Sequence, residues 1–505
     1  MSLKRIVQET IKSCLDDATE IKEDIEIDIP RIEHGDYALN IAFKLAKMRK
    51  RNPHQIADEL SEVVNNKGTS ITAESASGFI NVKLDNNVLF DYFITFLNQP
   101  PKVDCKDKIL LEYVSANPTG PLHIGHGRWA VIGDTLFRLL TTVGINVTNE
   151  FYINDAGNQI NLFNQSIEAK RNNQKMPENG YGGHFIDYVI KENKGLSNVD
   201  FVIEHQKKTL HNLRCEFNEW FKETKLHQKD ILEEVKKEYG DYIYEKEGAI
   251  WFRTTDFNDD KDRVIRKENG DLTYFAADIM YHMNKINRGF SHLVNIWGAD
   301  HHGYIKRIES SIKAKNDDTK LTVILGQLVH LFKNGEPVKM SKRTGELIEL
   351  SEVIEEIGVD ATRYFLLDKK PEQTLDFDLN IASEKSMENP VYYIQYAHAR
   401  ICTIIEKTNG LDNNNDLTLN EMDRKLMLHG ARYYDALYEA SHHYEPYKLT
   451  QYLHELAKIF HSFYQKNHII NDSKIHQQRL QIIQTTKKII QHCSNILGIS
   501  TPEKM

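Results

Sequence analysis

Two histidines three residues apart, His123 and His126, enclose Ile124 and Gly125 in the stretch Pro121-Leu122-His123-Ile124-Gly125-His126-Gly127-Arg128. Before them stands the apolar run Ile109 to Val114 and the turn Ser115-Ala116-Asn117-Pro118-Thr119-Gly120; after them Trp129, Ile132, Leu136 and Leu139 keep helical spacing. The motif is therefore a strand, a Gly/Pro turn and a helix start. At a helix start, free backbone N–H groups and the macrodipole favour phosphate oxygens. Gly125 lets a flat base approach the backbone. Imidazoles beside a triphosphate can donate to oxygens that gain charge when the α-phosphorus is attacked. A bare H-x-x-H is more often an ordinary helix start, and it is the flanking strand and helix that weigh against that. No G-x-x-x-x-G-K-[ST] occurs, so the nucleotide site is not a P-loop.

A second group, Lys339-Met340-Ser341-Lys342-Arg343, follows the turn Asn334-Gly335-Glu336-Pro337. A loop with two lysines can close over phosphates and neutralise a departing pyrophosphate. Taken alone such a loop is usually solvated surface. Two carboxylates are candidates for a cationic substrate. Asp278 lies on a capped helix from Leu272 to Lys285, where Phe275, Ile279, His282 or Met283, and Ile286 form the expected buried face. Tyr274, Asp278, Tyr281 and Lys285 share another face. Glu112 ends the apolar strand before the first motif. A rigidly held carboxylate matches a planar guanidinium, although a lone Asp on a helix more often caps or pairs locally.

The elements that must position these groups fall into three regions. Residues 1–104 mix helical and extended patterns, with a strand at Gly78 to Leu84 and a linker at Asn98-Gln99-Pro100-Pro101. Residues 105–385 alternate apolar strands (Ile109–Val114, Val147–Ile153, His292–Trp297, Thr322–Phe332) with helices, the pattern of a buried parallel sheet. Within them, the polar stretch of about 165–255 reads as an insertion. Residues 386–505 read as an α-helical bundle, with Tyr452, Leu453, Leu456, Ile459, Phe460 and Phe463 at helical spacing.

The 505 residues are 40% hydrophobic and 27% charged, in the range of a soluble globular protein. There is neither a membrane-length apolar run nor a secretory leader pattern in the first residues. Five scattered cysteines without C-x-x-C fit neither a disulfide framework nor a zinc site, and point to a reducing cytoplasm. The net charge of −9 excludes a uniformly basic surface, so nucleic acid would have to meet local patches or a shaped interface.

Together and in this order, the two motifs resemble the HIGH and KMSKS signatures of class I aminoacyl-tRNA synthetases. Ser115 to Arg128, the helix from Tyr274 to Lys285 and Trp297-Gly298-Ala299-Asp300-His301-His302-Gly303-Tyr304 are similar to the forms found in arginyl-tRNA synthetases. The resemblance covers nearly the whole chain and is weakest over 165–255. It implies a multidomain α/β protein: a Rossmann-like parallel-sheet catalytic domain, an α+β N-terminal domain and a C-terminal α-helical anticodon-binding bundle. It implies arginine activation with ATP, as its Mg2+ complex and without zinc, then transfer to the 3′-terminal ribose of tRNA(Arg). Adenylate formation would require bound tRNA.

By that similarity His123, His126, Lys339 and Lys342 are catalytic. Gly120, Gly125, Met340, Ser341 and His302 join them around ATP. Arginine is assigned to Glu112, Asn117, Tyr274, Asp278 and Asp300. His301-His302 is placed on the nucleotide side of the pocket rather than at a metal. For tRNA, Glu33 to Ala42 and Gly78 to Asn81 resemble the N-terminal domain that meets the tRNA elbow, with Lys47 and Arg49 in a basic run. Tyr393, Tyr396 and Arg400 open the helical domain, where aromatics beside an arginine can stack bases; the same spacing also serves core packing. A cytoplasmic monomer is expected. A nucleotidylyltransferase of the same fold would need neither terminal domain, and a cysteinyl enzyme would need zinc ligands.

Overall fold

The computed structural model describes residues 2–15, 25–31, 34–228, 230–316, 318–338, 348–414, 418–471 and 474–505. Its centre is a five-stranded sheet in which every neighbouring pair is parallel. Strand Lys108–Glu112 lies in the middle, with Asn146–Ile153 and then Glu219–Lys222 on one side. His292–Gly298 and then Lys320–Gly326 lie on the other. Ile109, Leu110 and Leu111 are each no more than 1% exposed, as expected of a strand covered on both faces. The chain leaves Lys108–Glu112 towards one side and later returns to the other. The crevice at the carboxyl ends of Lys108–Glu112 and His292–Gly298 is therefore the switch point where such sheets bind ligands.

Helix Ile124–Thr142 begins over that crevice. Its approach to the sheet depends on missing side chains. A Cβ on Gly133 would stand 2.2 Å from the Tyr113 ring, and one on Gly326 would stand 2.1 Å from the Trp129 indole nitrogen. The fully buried Arg128 donates to the carbonyls of Gln327 (3.1 Å), Gln373 (2.7 Å) and Lys370 (2.8 Å). That clamp sits where the stretch Thr322–Phe332, read as containing an apolar run, divides between two strands. Lys320–Gly326 stays in the main sheet; Val329–Lys333 joins a small sheet with Glu336–Pro337 and Leu375–Asp378. The polar stretch 165–255 also contributes an edge strand to the main sheet, Glu219–Lys222.

The N-terminal region is a four-stranded sheet (Ile27–Asp28, Tyr37–Leu39, Phe79–Leu84, Ile71–Ala76) packed against helices. The C-terminal region is built on helices Pro390–Lys407, Glu421–Ala431, Tyr433–His442, Tyr447–Lys466 and Gln477–Leu497. Tyr452, Leu453, Leu456, Ile459, Phe460 and Phe463 are all buried in it, as their spacing predicts. Among the described residues no helix is long and apolar enough to cross a membrane.

Candidate active site

The histidine pair is built by reciprocal capping. His123 is the N-cap of its helix, and its Nδ1 accepts from the Gly125 N–H at 3.1 Å. The His126 Nδ1 accepts in turn from the His123 N–H at 3.3 Å. The rings stack with centroids 3.7 Å apart, and Trp129 meets His126 edge-on. Because both Nδ1 atoms accept, both ring protons sit on Nε2. Each ring therefore carries its N–H on the side away from its own backbone.

Three cavities meet at this pair. One of about 610 Å³ is lined by Glu112, Asn117, His126, Tyr274, Asp278 and Asp300, among others. One of about 870 Å³ runs from His123, Gly125 and His126 past Asp300 to Gly326–Phe332 and Val338. A third, of about 430 Å³, holds Asn117, Gly120, His123, His126, Tyr181, His184 and Glu349. His126 lines all three. Glu112, Asn117, Tyr274, Asp278 and Asp300, far apart in sequence, thus share one cavity, and Gly120, Gly125 and the histidines border its neighbours. Asp300 is exposed on the rim common to the first two. His302 is exposed on the 3-10 turn Ala299–Tyr304 and lines none of the three.

Lys339, Met340, Ser341 and Lys342 lie outside the described residues. The chain on either side of that segment borders the histidine site. Val338 lines the larger cavity with them, while Glu349 bridges to His123 and the Leu350 N–H donates to the Leu122 carbonyl at 2.8 Å.

The acids of the first cavity differ in their surroundings. Burial pushes the Asp278 carboxyl up to about 7; Glu112 and Glu223 add to the rise, against the Tyr304 hydroxyl and Lys285. Glu112 is 6% exposed and already engaged: it accepts from Lys285 Nζ at 2.6 Å and from Ser115 Oγ at 2.9 Å. The turn that brings Ser115 back has Val114 at φ 69° and Ser115 at φ 43°, closed by the Ser115 N–H on the Tyr113 carbonyl at 3.0 Å. A β-branched residue held there costs about 1–3 kcal/mol. That strain stands at the mouth of the pocket, where both residues line the wall.

The helix Tyr274–Asn287 departs from the expected two-faced pattern. Phe275, Ile279, His282 and Met283 are buried, but so are Tyr281 and Lys285. Tyr274 is 76% exposed at the cavity rim. Sequence periodicity missed Lys285, and nothing in the local pattern marks it, because its partner Glu112 is distant in the chain.

In the helical domain, Tyr393 and Tyr396 are half-buried. Tyr393 lies against His454 and His461, and Tyr396 against Tyr392 and His461, with the Arg400 guanidinium 4.7 Å over the Tyr396 ring. In the N-terminal domain Lys47 is exposed and Arg49 half-buried on helix Ile41–Arg49. Beside them the exposed rings of Phe43 and Phe79 meet edge to face. No group of three or more potential metal ligands is found among the described residues.

Three family models match successive parts of the chain. Residues 1–84 match the arginyl tRNA synthetase N terminal domain, 95–238 the class I (R) tRNA synthetase catalytic domain, and 394–505 the DALR anticodon binding domain. The arginine–tRNA ligase of Staphylococcus epidermidis is 39% identical over 528 aligned positions, covering 95% of each chain. That of Listeria monocytogenes is 38% identical over 548, covering 100% of this chain and 98% of its own. The arginyl-tRNA synthetase structure from Thermus thermophilus shares the fold over 100% of both chains, with a TM-score of 0.82 at 19% identity. On the strength of these full-length likenesses, the chain belongs to the arginyl-tRNA synthetase family.

Proposed function

We propose that the protein joins L-arginine to tRNA(Arg) in two steps at the histidine pair. The observation that carries this is the position of His126, which lines the acidic cavity and both of its neighbours. Arginine occupies the first cavity, with Asp278 and Glu112 as counter-charges, Asn117 and Tyr274 at its edges and Asp300 at the rim. Magnesium-bound ATP lies along the cavity from Gly125 to Val338. An arginine carboxylate oxygen attacks the α-phosphorus, the bond to pyrophosphate breaks, and arginyl-adenylate forms. A hydroxyl of the terminal tRNA ribose then attacks the acyl carbon, its proton is lost, and AMP leaves.

The histidines' Nε2–H groups donate to the phosphate oxygens that gain charge in the first step. Lys339 and Lys342 neutralise the departing pyrophosphate, a role supported by the position of Val338 and Glu349 beside the histidines. Lys47, Arg49, Tyr393, Tyr396 and Arg400 contact the tRNA body and anticodon arm. The work belongs to translation in the cytoplasm.

The test is charging of total tRNA with each amino acid in parallel. Arginine, and no other, becomes acid-precipitable; a different amino acid in its place would overturn the assignment. Pyrophosphate exchange with arginine is expected only when tRNA is present.

A further inference from the structure

Lys285 has a fully buried ammonium, an uncommon state for a lysine. It donates to Glu112 at 2.6 Å and to Asn295 Oδ1 at 3.2 Å, and lies 4.2 Å over the Tyr281 ring. Asn295 stands directly opposite Glu112 in the sheet register, at the switch point. Its Nδ2 donates to His282 Nε2 at 3.1 Å, and the His282 Nδ1–H donates to the backbone carbonyl of Asp278 at 2.8 Å. The tautomer is fixed by that order, and burial holds His282 neutral. An unbroken chain of hydrogen bonds therefore runs from the carboxylate of one pocket acid to the backbone of the other. Its members are 8% exposed or less up to His282.

We propose that Lys285 is a positioning and specificity residue for arginine: its resident ammonium takes one side of Glu112 permanently and, through Asn295 and His282, sets the separation of Glu112 and Asp278. This rests on the arginine-activating reading. A carboxylate has about four acceptor sites. Lys285 and Ser115 take two on Glu112, and the remainder face the substrate in a fixed direction. The resident cation also offsets the charge of Glu112, one of four acids that line the pocket with Glu223, Asp278 and Asp300, and so lowers the net negative charge that a cationic side chain meets. Without it, the Glu112 charge would stand unbalanced among the pocket acids, and Glu112 would keep the Ser115 bond but lose the partner on its other oxygen.

The test uses full-length protein and separate KM measurements for arginine and ATP in the charging reaction. In Lys285→Met the arginine KM rises about tenfold or more, the low end of what losing a buried charge contact costs, while the ATP KM stays within about twofold. Should the orphaned Glu112 charge unfold that variant, Glu112→Gln/Lys285→Met removes both charges and is compared with Glu112→Gln alone. Because Lys285 acts through Glu112, the two are expected to share one raised arginine KM, and the two changes are not additive. In Lys285→Ala, propylammonium supplies the missing atoms and lowers the arginine KM again, whereas propanol does not.

Three results would overturn the proposal: a folded variant with the parent's arginine KM, equal rises in both KM values, or equal rescue by propanol. A parent protein that charges tRNA with another amino acid would instead defeat the underlying reading, so the two failures are distinguishable.

Discussion

Asp278 holds its proton close to neutrality when the cavity contains no cation, because burial and the neighbouring acids Glu112 and Glu223 disfavour its charge. A guanidinium reverses that balance, since it pairs only with the ionised form. Binding below about pH 7 must therefore expel a proton. The arginine Kd is expected to rise by about tenfold for each pH unit below that point, and to level off above it. Calorimetry at pH 6 in two buffers of different ionisation enthalpy should report release of nearly one proton. A Kd constant from pH 6 to 8 would remove Asp278 as the guanidinium partner. The same shift has an opposite sign for the ligand-free fold. A carboxyl raised from the ordinary aspartate range to about 7 binds its proton more tightly folded than unfolded, so its contribution to stability falls as pH climbs through that window. Much of this residue-level chemistry was legible. His123, His126, Asp278 and Glu112 stand out because each is a polar group beside an apolar strand or on one helix face. Lys285 was not, since a 3.6-residue period tells which residues share a face and not whether that face meets water or a buried acid 173 positions away.

Elements carry the next level of precision, and the helix Ile124–Thr142 shows how little room it has. Its Gly133 packs on the ring of Tyr113, which is fully buried and pinned by the Asn149 Nδ2 donating to its hydroxyl at 2.8 Å. Gly133→Ala would gain about 1 kcal/mol of helix propensity but place a Cβ inside the ring's contact distance. Overpacking at a fixed neighbour costs about 1–3 kcal/mol. The net expectation is a lower urea midpoint, with slower adenylation because the histidines ride on the same helix. A raised midpoint would show that the ring yields freely. The strands at 108–112, 146–153 and 292–298 were readable from the short apolar runs they contain. Two features were not. Glu219–Lys222 is a sheet edge composed of half-polar residues, so its composition resembles its polar surroundings. The break after Gly326 is imposed by Trp129 and Arg128 from another helix. Both depend on tertiary neighbours that no local window contains.

At the scale of the molecule, single arginines tie the domains together. The segment His34–Tyr37, which by resemblance belongs to a tRNA-contacting domain, partly serves as an internal joint. Asp36 accepts from the Leu84 N–H at 2.7 Å and from Arg424 of the helical domain at 2.6 Å. Tyr37 and the Lys4 N–H both reach Asp435. A second joint links the histidine helix to the chain's end. Arg363, fully buried, donates to Asp134 on that helix at 2.6 Å, to the Leu213 carbonyl at 2.9 Å and to the Leu497 carbonyl at 2.7 Å. Beside it Asp360 accepts from Arg214 at 2.6 Å, from Gln395 at 2.9 Å and from the Ser500 N–H at 3.0 Å. Gln395 sits on the helix that carries Tyr393 and Tyr396, so this joint connects the proposed anticodon face to the helix of the active site. Arg363→Met leaves the Leu497 and Leu213 carbonyls without their donor and Asp134 with Arg138 as its remaining partner. Breaking a buried charge pair from one side costs about 3–5 kcal/mol, and a loss of that order is expected in urea unfolding. Asp134→Asn/Arg363→Met, which removes both charges, should recover part of it, because in the single variant the buried Asp134 charge is left to the part-exposed Arg138. A single variant as stable as the parent, or a double variant less stable than the sum of the two single changes, would mean that the chain's end is held to the active-site helix by apolar packing rather than through Arg363.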